Sequence, residues 1–442
     1  MNLRIRIFVF LLLLSPCTFF GQKGFQWHSN KSKIEIPFQH VYNLIIIPVE
    51  INKAKLNMLL DTGADNSIIF SLPENDTLRF YNSKKVKVKG LGSEEVIEGL
   101  LSENNKIKIS GFEDDKFPML IVLDQDVNFS ARLGIPINGI LGYSFFKDYP
   151  IEINYQKKVM TIHKNRDFLK KKKFKKYHKY PISIINNRPY IDVPTKIEKD
   201  TLNLKLLIDI GLGDGLWLFE NNDIKASDVF FEDILGRGLN GPVIGKRSRV
   251  EAVKIADFTL NEALVSYPYQ SYFPKVGIVN GRNGSLGGEI LHRFNVIIDY
   301  QGQFLHLKKN SRFQKPFNYN MSGIVIQHNG IEYVKEEIKL EVKTDYGRKV
   351  DNAINVDDTR LKYQFTLKPV FEVSSVRKGS PADLAGILPG DKISKINKRS
   401  IHEYTIQKIN DLLQSEEGKW IYIDIERKST PIAFKFQLKK IL

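Results

Sequence analysis

With 442 residues, 42% of them hydrophobic, the chain has length for about three domains and enough apolar material for real cores, which excludes a disordered polypeptide. Lysine and arginine outnumber aspartate and glutamate by 66 to 50, a net charge of +16. The one cysteine, Cys17, rules out a disulfide; eight histidines without an HExxH, and no GxSxG elbow, argue against zinc and common serine hydrolases, so no metal and no cofactor is expected.

Arg4 and Arg6 precede the unbroken apolar run Ile7 to Leu14, and a polar stretch starts near Gln22. This reads as a secretory leader over residues 1–21, too short to span a bilayer, and implies export to a periplasmic or extracellular location. Leu14-Ser15-Pro16-Cys17 offers lipidation at Cys17 as the alternative, although proline directly before the cysteine fits that chemistry poorly.

Asn43 to Ile51, NLIIIPVEI, reads as a strand, and Leu56 to Phe70, LNMLLDTGADNSIIF, brings a second strand to Asp61-Thr62-Gly63. A carboxylate at the end of a buried strand carries a desolvation cost, which marks Asp61 as a candidate functional group. Val86 to Ile97, with Gly90 and Gly92 at its tip, reads as a hairpin, and Asn138 to Lys164 closes a unit over 33–163. The run Lys170 to Lys179, KKKKFKKYHK, reads as a solvated basic linker over 164–180. No nucleic acid partner is expected, and membrane contact only through this surface charge or through Cys17.

The same order then returns over 181–310. Leu204, Leu206, Leu207 and Ile208 stand against Leu56, Met58, Leu59 and Leu60, and Asp209 against Asp61, 148 residues apart. Asn138-Gly139, Leu141-Gly142, Ile151, Ile153 and Tyr155 match Asn283-Gly284, Leu286-Gly287, Val296, Ile298 and Tyr300 at a separation of 145. So small a drift is what a duplicated unit with loop insertions shows. Gly236 to Val243 offers a second, looser hairpin.

These paired motifs resemble the pepsin and retropepsin clan of aspartic proteases, over Ile34 to Lys309, and more closely two retropepsin lobes fused in one chain. The resemblance implies a mainly β protein of two pseudo-symmetric lobes, Asp61 and Asp209 as catalytic pair, Thr62, Gly63, Ile210 and Gly211 as supporting loops, and the hairpins as flaps. The family usually carries a hydroxyl after each Asp, which braces the opposite loop; Thr62 keeps it and Ile210 does not. Ala64 and Leu212 occupy positions where a hydroxyl often stabilises the ionised Asp. Fewer donors to the charged form raise the pKa of the pair, so a mildly acidic to near-neutral optimum is expected. Asp65 and Asp214 read as solvated turn positions.

After Asn310 the pattern changes. Ser380-Pro381-Ala382-Asp383 reads as a helix start and Gly386 as its end, and Thr405 to Ser415 places Ile406, Ile409 and Leu413 on one helix face. Gly379 to Asn397 resembles bacterial PDZ domains, which implies an α+β PDZ domain over 318–442 with an insertion around 330–368. Its carboxylate-binding loop and groove are then Ser322, Gly323, Ile324 and Val325 with Ile406. The expectation is an exported aspartic endopeptidase acting on protein or peptide substrates, its PDZ domain holding an extended or C-terminal segment. A catalytically degenerate peptide-binding protein and a surface-tethering role for the lysines stand as the alternatives.

Overall fold

The computed structural model describes residues 24–73, 78–80, 82–88, 90–92, 96–123, 129–273, 279–338 and 362–442. The leader with Cys17, part of the 86–97 hairpin tip and most of the expected 330–368 insertion lie outside the described residues. The protein is mainly β, with two similar lobes followed by a smaller α+β unit.

Each lobe is built on one three-strand arrangement. In the first, Leu44–Ile51 pairs antiparallel with Ala54–Leu60, and the short strand Gly139–Leu141 runs parallel to the latter, Gly139 opposite Met58. On its other side Gly139–Leu141 pairs antiparallel with Ser67–Ile69. The second lobe repeats this: Arg188–Ile197 against Asp200–Ile208, with Arg282–Leu286 parallel to it, Gly284 opposite Leu206, and antiparallel to Leu216–Leu218. The asparagine before each glycine locks the insertion, since Asn138 Oδ1 accepts from Asn57 N–H and Asn283 Oδ1 from Lys205 N–H, both at 2.9 Å. Residues buried on both faces explain why these strands read as continuous apolar runs rather than alternations.

A six-stranded sheet ties the lobes together. Lys33–Pro37, Ile151–Asn154 and Val159–His163 come from the first lobe, Phe294–Asp299 and Phe304–Lys309 from the second, and His178–Pro181 from between them. At its centre Ile151 faces Ile298 and Ile153 faces Val296, all four essentially buried.

The basic segment is not a free linker. Arg166–Lys170 and Lys172–Lys176 are short 3-10 helices, and Phe168 and Phe174 are buried against Ile297, with the His163 ring stacked 3.5 Å from that of Phe168. Lysines 171–173, 175 and 176 remain exposed. Two aromatic anchors inside a charged run outweigh its solvation, because burying one such ring stabilises by about 1.5–3 kcal/mol.

In the C-terminal unit Ile324–Ile338 pairs with Lys362–Val376, followed by Lys392–Ile396, Trp420–Arg427 and Thr430–Gln437. The expected insertion is partly an outgrowth of this sheet, its rungs continuing from Ile331 and Pro369 to Ile338 and Lys362. Ser380 caps Pro381–Ala385 by accepting from Asp383 N–H, and Gly386 ends it at φ 93°. Helix Ile406–Leu413 buries Ile406, Ile409 and Leu413.

If the aromatic anchors hold the interlobe segment, Phe168→Ala and Phe174→Ala each lower unfolding stability by about 3–5 kcal/mol in denaturant titrations. Lys171→Gln with Lys172→Gln is expected to change it by under about 0.5 kcal/mol.

Candidate active site

Both candidate aspartates stand at the C-terminal ends of the duplicated strands. Asp61 N–H donates to Leu141 O at 3.0 Å and Asp209 N–H to Leu286 O at 2.9 Å, so each loop is pinned to its own inserted strand. Gly63 N–H donates to Asp61 Oδ1 at 2.7 Å, and Gly211 N–H to Asp209 Oδ1 at 3.0 Å. The loops touch face to face: a Cβ on Gly211 would lie 2.4 Å from Asp61 Cγ, and one on Gly63 3.0 Å from Asp209 Oδ2. Any side chain at 211 would collide with the opposite carboxylate, which is the physical reason for glycine there.

The brace between the loops is one-sided. Thr62, fully buried, donates its hydroxyl to Ile208 O at 2.7 Å and accepts Ile210 N–H at 3.1 Å. Ile210, also fully buried, contributes packing and no reciprocal hydroxyl bond.

The two carboxyl groups lie close together across the touching loops and influence each other's titration. Burial first, then the charge of Asp209, pushes the Asp61 carboxyl well above the ordinary carboxylate range. Burial also raises Asp209, opposed by the Arg282 guanidinium and by the Gly211 and Leu212 amides. Two carboxyl groups this close favour a state with a single proton between them.

Three arginines at this site, Arg188, Arg282 and Arg247, escaped the sequence reading, and Asp214 was misplaced by it. Arg188 crosses from the second lobe to donate to Gly63 O at 2.8 Å and Asp65 at 2.9 Å. Arg282 is held by Gly284 O and Ser285 beside Asp209. Asp214 is no solvated turn residue: it accepts from Trp217 Nε1 and Ser266 Oγ, both at 2.8 Å, and from Arg247 at 3.0 Å. Arg247 also holds Asp233 on the second hairpin at 3.2 Å, linking the Asp209 loop to that hairpin. These contacts join segments distant in the chain, so no local spacing signals them; only the tryptophan three residues after Asp214 hinted at a buried acceptor.

Above the pair the two hairpins meet. Lys84–Val88 with Ile97–Ile109 and Phe231–Gly238 with Gly241–Ile255 bring their tips together, where Asn240 N–H donates to Leu91 O at 3.0 Å. Val88 and Leu91 from one, Gly236 and Leu239 from the other, line a cavity of about 1100 Å³ whose floor includes Asp61 and Asp209. Such a volume suits a peptide segment rather than a small molecule.

The cavity continues into the C-terminal unit, where Gly323, Ile324, Val325 and Ile406 also line it. Ser322 does not; it is fully buried and its hydroxyl donates to Asn320 Oδ1 at 2.7 Å. Among the described residues no group of three or more His, Cys, Asp or Glu side chains is arranged to hold a metal ion.

The raised pKa of the pair has a stability consequence with a definite sign. An acid whose folded pKa is raised contributes stability that is complete below its unfolded value, about 3.9, and is lost as pH rises through the folded value. Asp61→Asn removes one titrating group, so its melting temperature should match the wild type near pH 4 and exceed it increasingly toward pH 8. A difference independent of pH would contradict the assignment. Thr62→Val leaves Ile210 N–H and Ile208 O unpaired and should cost about 1–3 kcal/mol for each group in denaturant titrations.

Residues 47–145 match the family model described as aspartyl protease, a stretch that holds Asp61, Thr62, Gly63 and the Gly139–Leu141 strand but not Asp209. Residues 372–427 match the model described as PDZ domain. No curated protein matches the chain. The chain therefore carries an aspartyl protease domain and, C-terminal to it, a PDZ domain.

Proposed function

We propose that this protein is an exported aspartic endopeptidase in which Asp61 and Asp209 activate a water molecule against a peptide bond. The observation that carries this reading is the face-to-face approach of the two aspartate loops on the cavity floor, each carboxylate held by the glycine amide of its own loop. The ionised member takes a proton from a water between them as its oxygen attacks the carbonyl carbon, and the protonated member gives its proton to the carbonyl oxygen. Collapse of the tetrahedral diol breaks the C–N bond, the amine leaves with a proton, and the pair returns to its one-proton state. No covalent bond to the enzyme forms.

The missing hydroxyl at Ile210 leaves the geometry supported, because Thr62 alone makes both cross-loop bonds. The closed hairpin tips must part for a polypeptide to enter, and the polar tip-to-tip bond from Asn240 to Leu91 is one that water can replace. The PDZ domain supports peptide-binding partners, here a segment of the substrate itself. Export rests on the leader pattern at 1–21, and N-terminal sequencing of the protein from the envelope fraction tests it: a start near Gln22 supports export, an intact Met1 in the cytosol opposes it.

In a peptide-library cleavage assay, Asp61→Asn and Asp209→Asn should each lower turnover by about 10²–10⁴-fold with folding retained. The wild-type optimum should fall at mildly acidic to near-neutral pH, because burial and mutual repulsion raise the pair. An optimum near pH 2 would contradict the raised pair, and wild-type inactivity across the library would sink the hydrolytic reading in favour of a peptide-holding relative.

A further inference from the structure

The cavity that holds the aspartates is also lined by five basic side chains from separate parts of the chain. His40 lies on strand Gln39–Val41, Lys158 in the turn after Ile151–Asn154, His292 at the end of helix Gly288–Leu291, and Arg312 and Lys315 in the segment leading to the PDZ domain. They form one cluster. The His40 and His292 rings stand edge to face with centroids 6.0 Å apart, the Tyr155 ring lies 5.4 Å from that of His40, and Arg312 is the charge that acts most strongly on both imidazoles.

The two imidazoles are set in place but not used up. His292 is buried, and its Nδ1–H donates to Asn43 Oδ1 at 2.8 Å. That direction is fixed because Asn43 Nδ2 donates to Gly213 O and Glu289 Oε2, both at 2.9 Å, so Nε2 is the nitrogen left to take a proton. His40 Nε2 is enclosed and has no hydrogen-bond partner among the described residues. The turn that carries the cations is likewise built: Arg312 N–H donates to Asn310 Oδ1 at 2.8 Å and Lys315 N–H to Arg312 O at 3.0 Å.

The cluster lacks a counter-charge. Among the described residues Lys158, Arg312 and Lys315 form no ion pair, whereas Arg293 beside them is taken up by Glu289 at 2.8 Å. Glu289 in turn is committed to Arg293 and Asn43. Burial, then the charges of Arg312 and Lys158, hold the His40 imidazole down to about 4. Burial, then Arg312, His40, Arg293 and Lys315, hold His292 down to about 2. An anion among these groups would reverse the balance, because each imidazole could then take a proton and donate, and the cations would gain charge-assisted hydrogen bonds.

We propose that His40, Lys158, His292, Arg312 and Lys315 form a site for an oxyanion, a carboxylate or phosphate group, where the two lobes meet the segment leading into the PDZ domain. The site stands without the hydrolytic reading.

The test titrates full-length protein carrying Asp61→Asn with sodium sulfate against sodium chloride at matched ionic strength, followed by calorimetry. Sulfate keeps its double charge across the range used, so any pH dependence belongs to the protein. Saturable binding is expected, about tenfold tighter near pH 5.5 than near pH 8, because the anion draws a proton onto the imidazoles. Arg312→Gln should weaken it by about tenfold, and Lys172→Gln, which removes one exposed charge elsewhere, should leave it unchanged. Absence of saturable binding, or equal loss in the two variants, overturns the proposal; if Arg312→Gln fails to fold, the pH dependence decides, and an affinity independent of pH removes the histidines and the site with them. Blocked peptides containing glutamate, compared with the same peptides containing glutamine, identify the source of the anion. Displacement of sulfate by the glutamate peptides alone assigns the site to a polypeptide carboxylate, and displacement by inorganic phosphate but by neither peptide set assigns it to a free oxyanion; both uphold the site. Every readout is binding by an Asp61 variant, so wild-type inactivity would refute hydrolysis alone.

Discussion

Two half-buried carboxyl groups brought together at the floor of one cleft are the constraint to which the protease region answers. Such a pair is unstable when both members are charged, so something must hold it together at neutral pH. The holding is distributed: Leu141 and Leu286 fix the backbone of the two aspartates, Thr62 couples the loops, and Gly63 and Gly211 let them approach. Behind them the six-stranded interlobe sheet sets the lobe spacing through the Ile151–Ile298 and Ile153–Val296 pairs. Duplication matters here because one lobe supplies only one carboxylate.

The charge balance around the pair is asymmetric. Arg282 lies by Asp209, and Arg188 reaches the Asp61 loop through Gly63 O and Asp65. Arg247 joins Asp214, in the loop after Asp209, to Asp233 on the hairpin above the cleft. Each partner in that network is more than three-quarters buried, so removing Arg247 would strand two acids rather than one. The PDZ domain meets the same region, where the Arg377 guanidinium lies 4.1 Å from the Phe231 ring of that hairpin strand. The PDZ domain and the hairpin above the cleft are thus in direct contact.

Much of this was legible in the chain. The strand ending in Asp61, its counterpart at Asp209, and the Asn-Gly elements at 138 and 283 share spacing because they share hydrogen bonds, and periodicity reports that directly. The PDZ helix start at Ser380 was readable because capping is local. What stayed hidden was non-local. Strand pairing between 151–154 and 294–299 leaves no trace in either segment alone, and the lysine run masked the burial of Phe168 and Phe174. Asp214 looked like a turn residue because its partners Ser266 and Arg247 lie far along the sequence. In the loop before Ile324, Ser322 N–H and Gly323 N–H donate to Asn320 Oδ1, a side-chain direction that a pattern of apolar-Gly-apolar residues does not carry.

The account stands or falls on the protonation state of the pair, which carbon-13 NMR of protein labelled at the aspartate side-chain carboxyls measures directly. One carboxyl should hold its proton well above the ordinary range of about 3.9 while a second, coupled resonance titrates at lower pH. Both signals should be assigned by their loss in the Asp61→Asn and Asp209→Asn proteins. Two independent titrations near the ordinary value would show that the carboxyl groups share no proton, and would contradict the account.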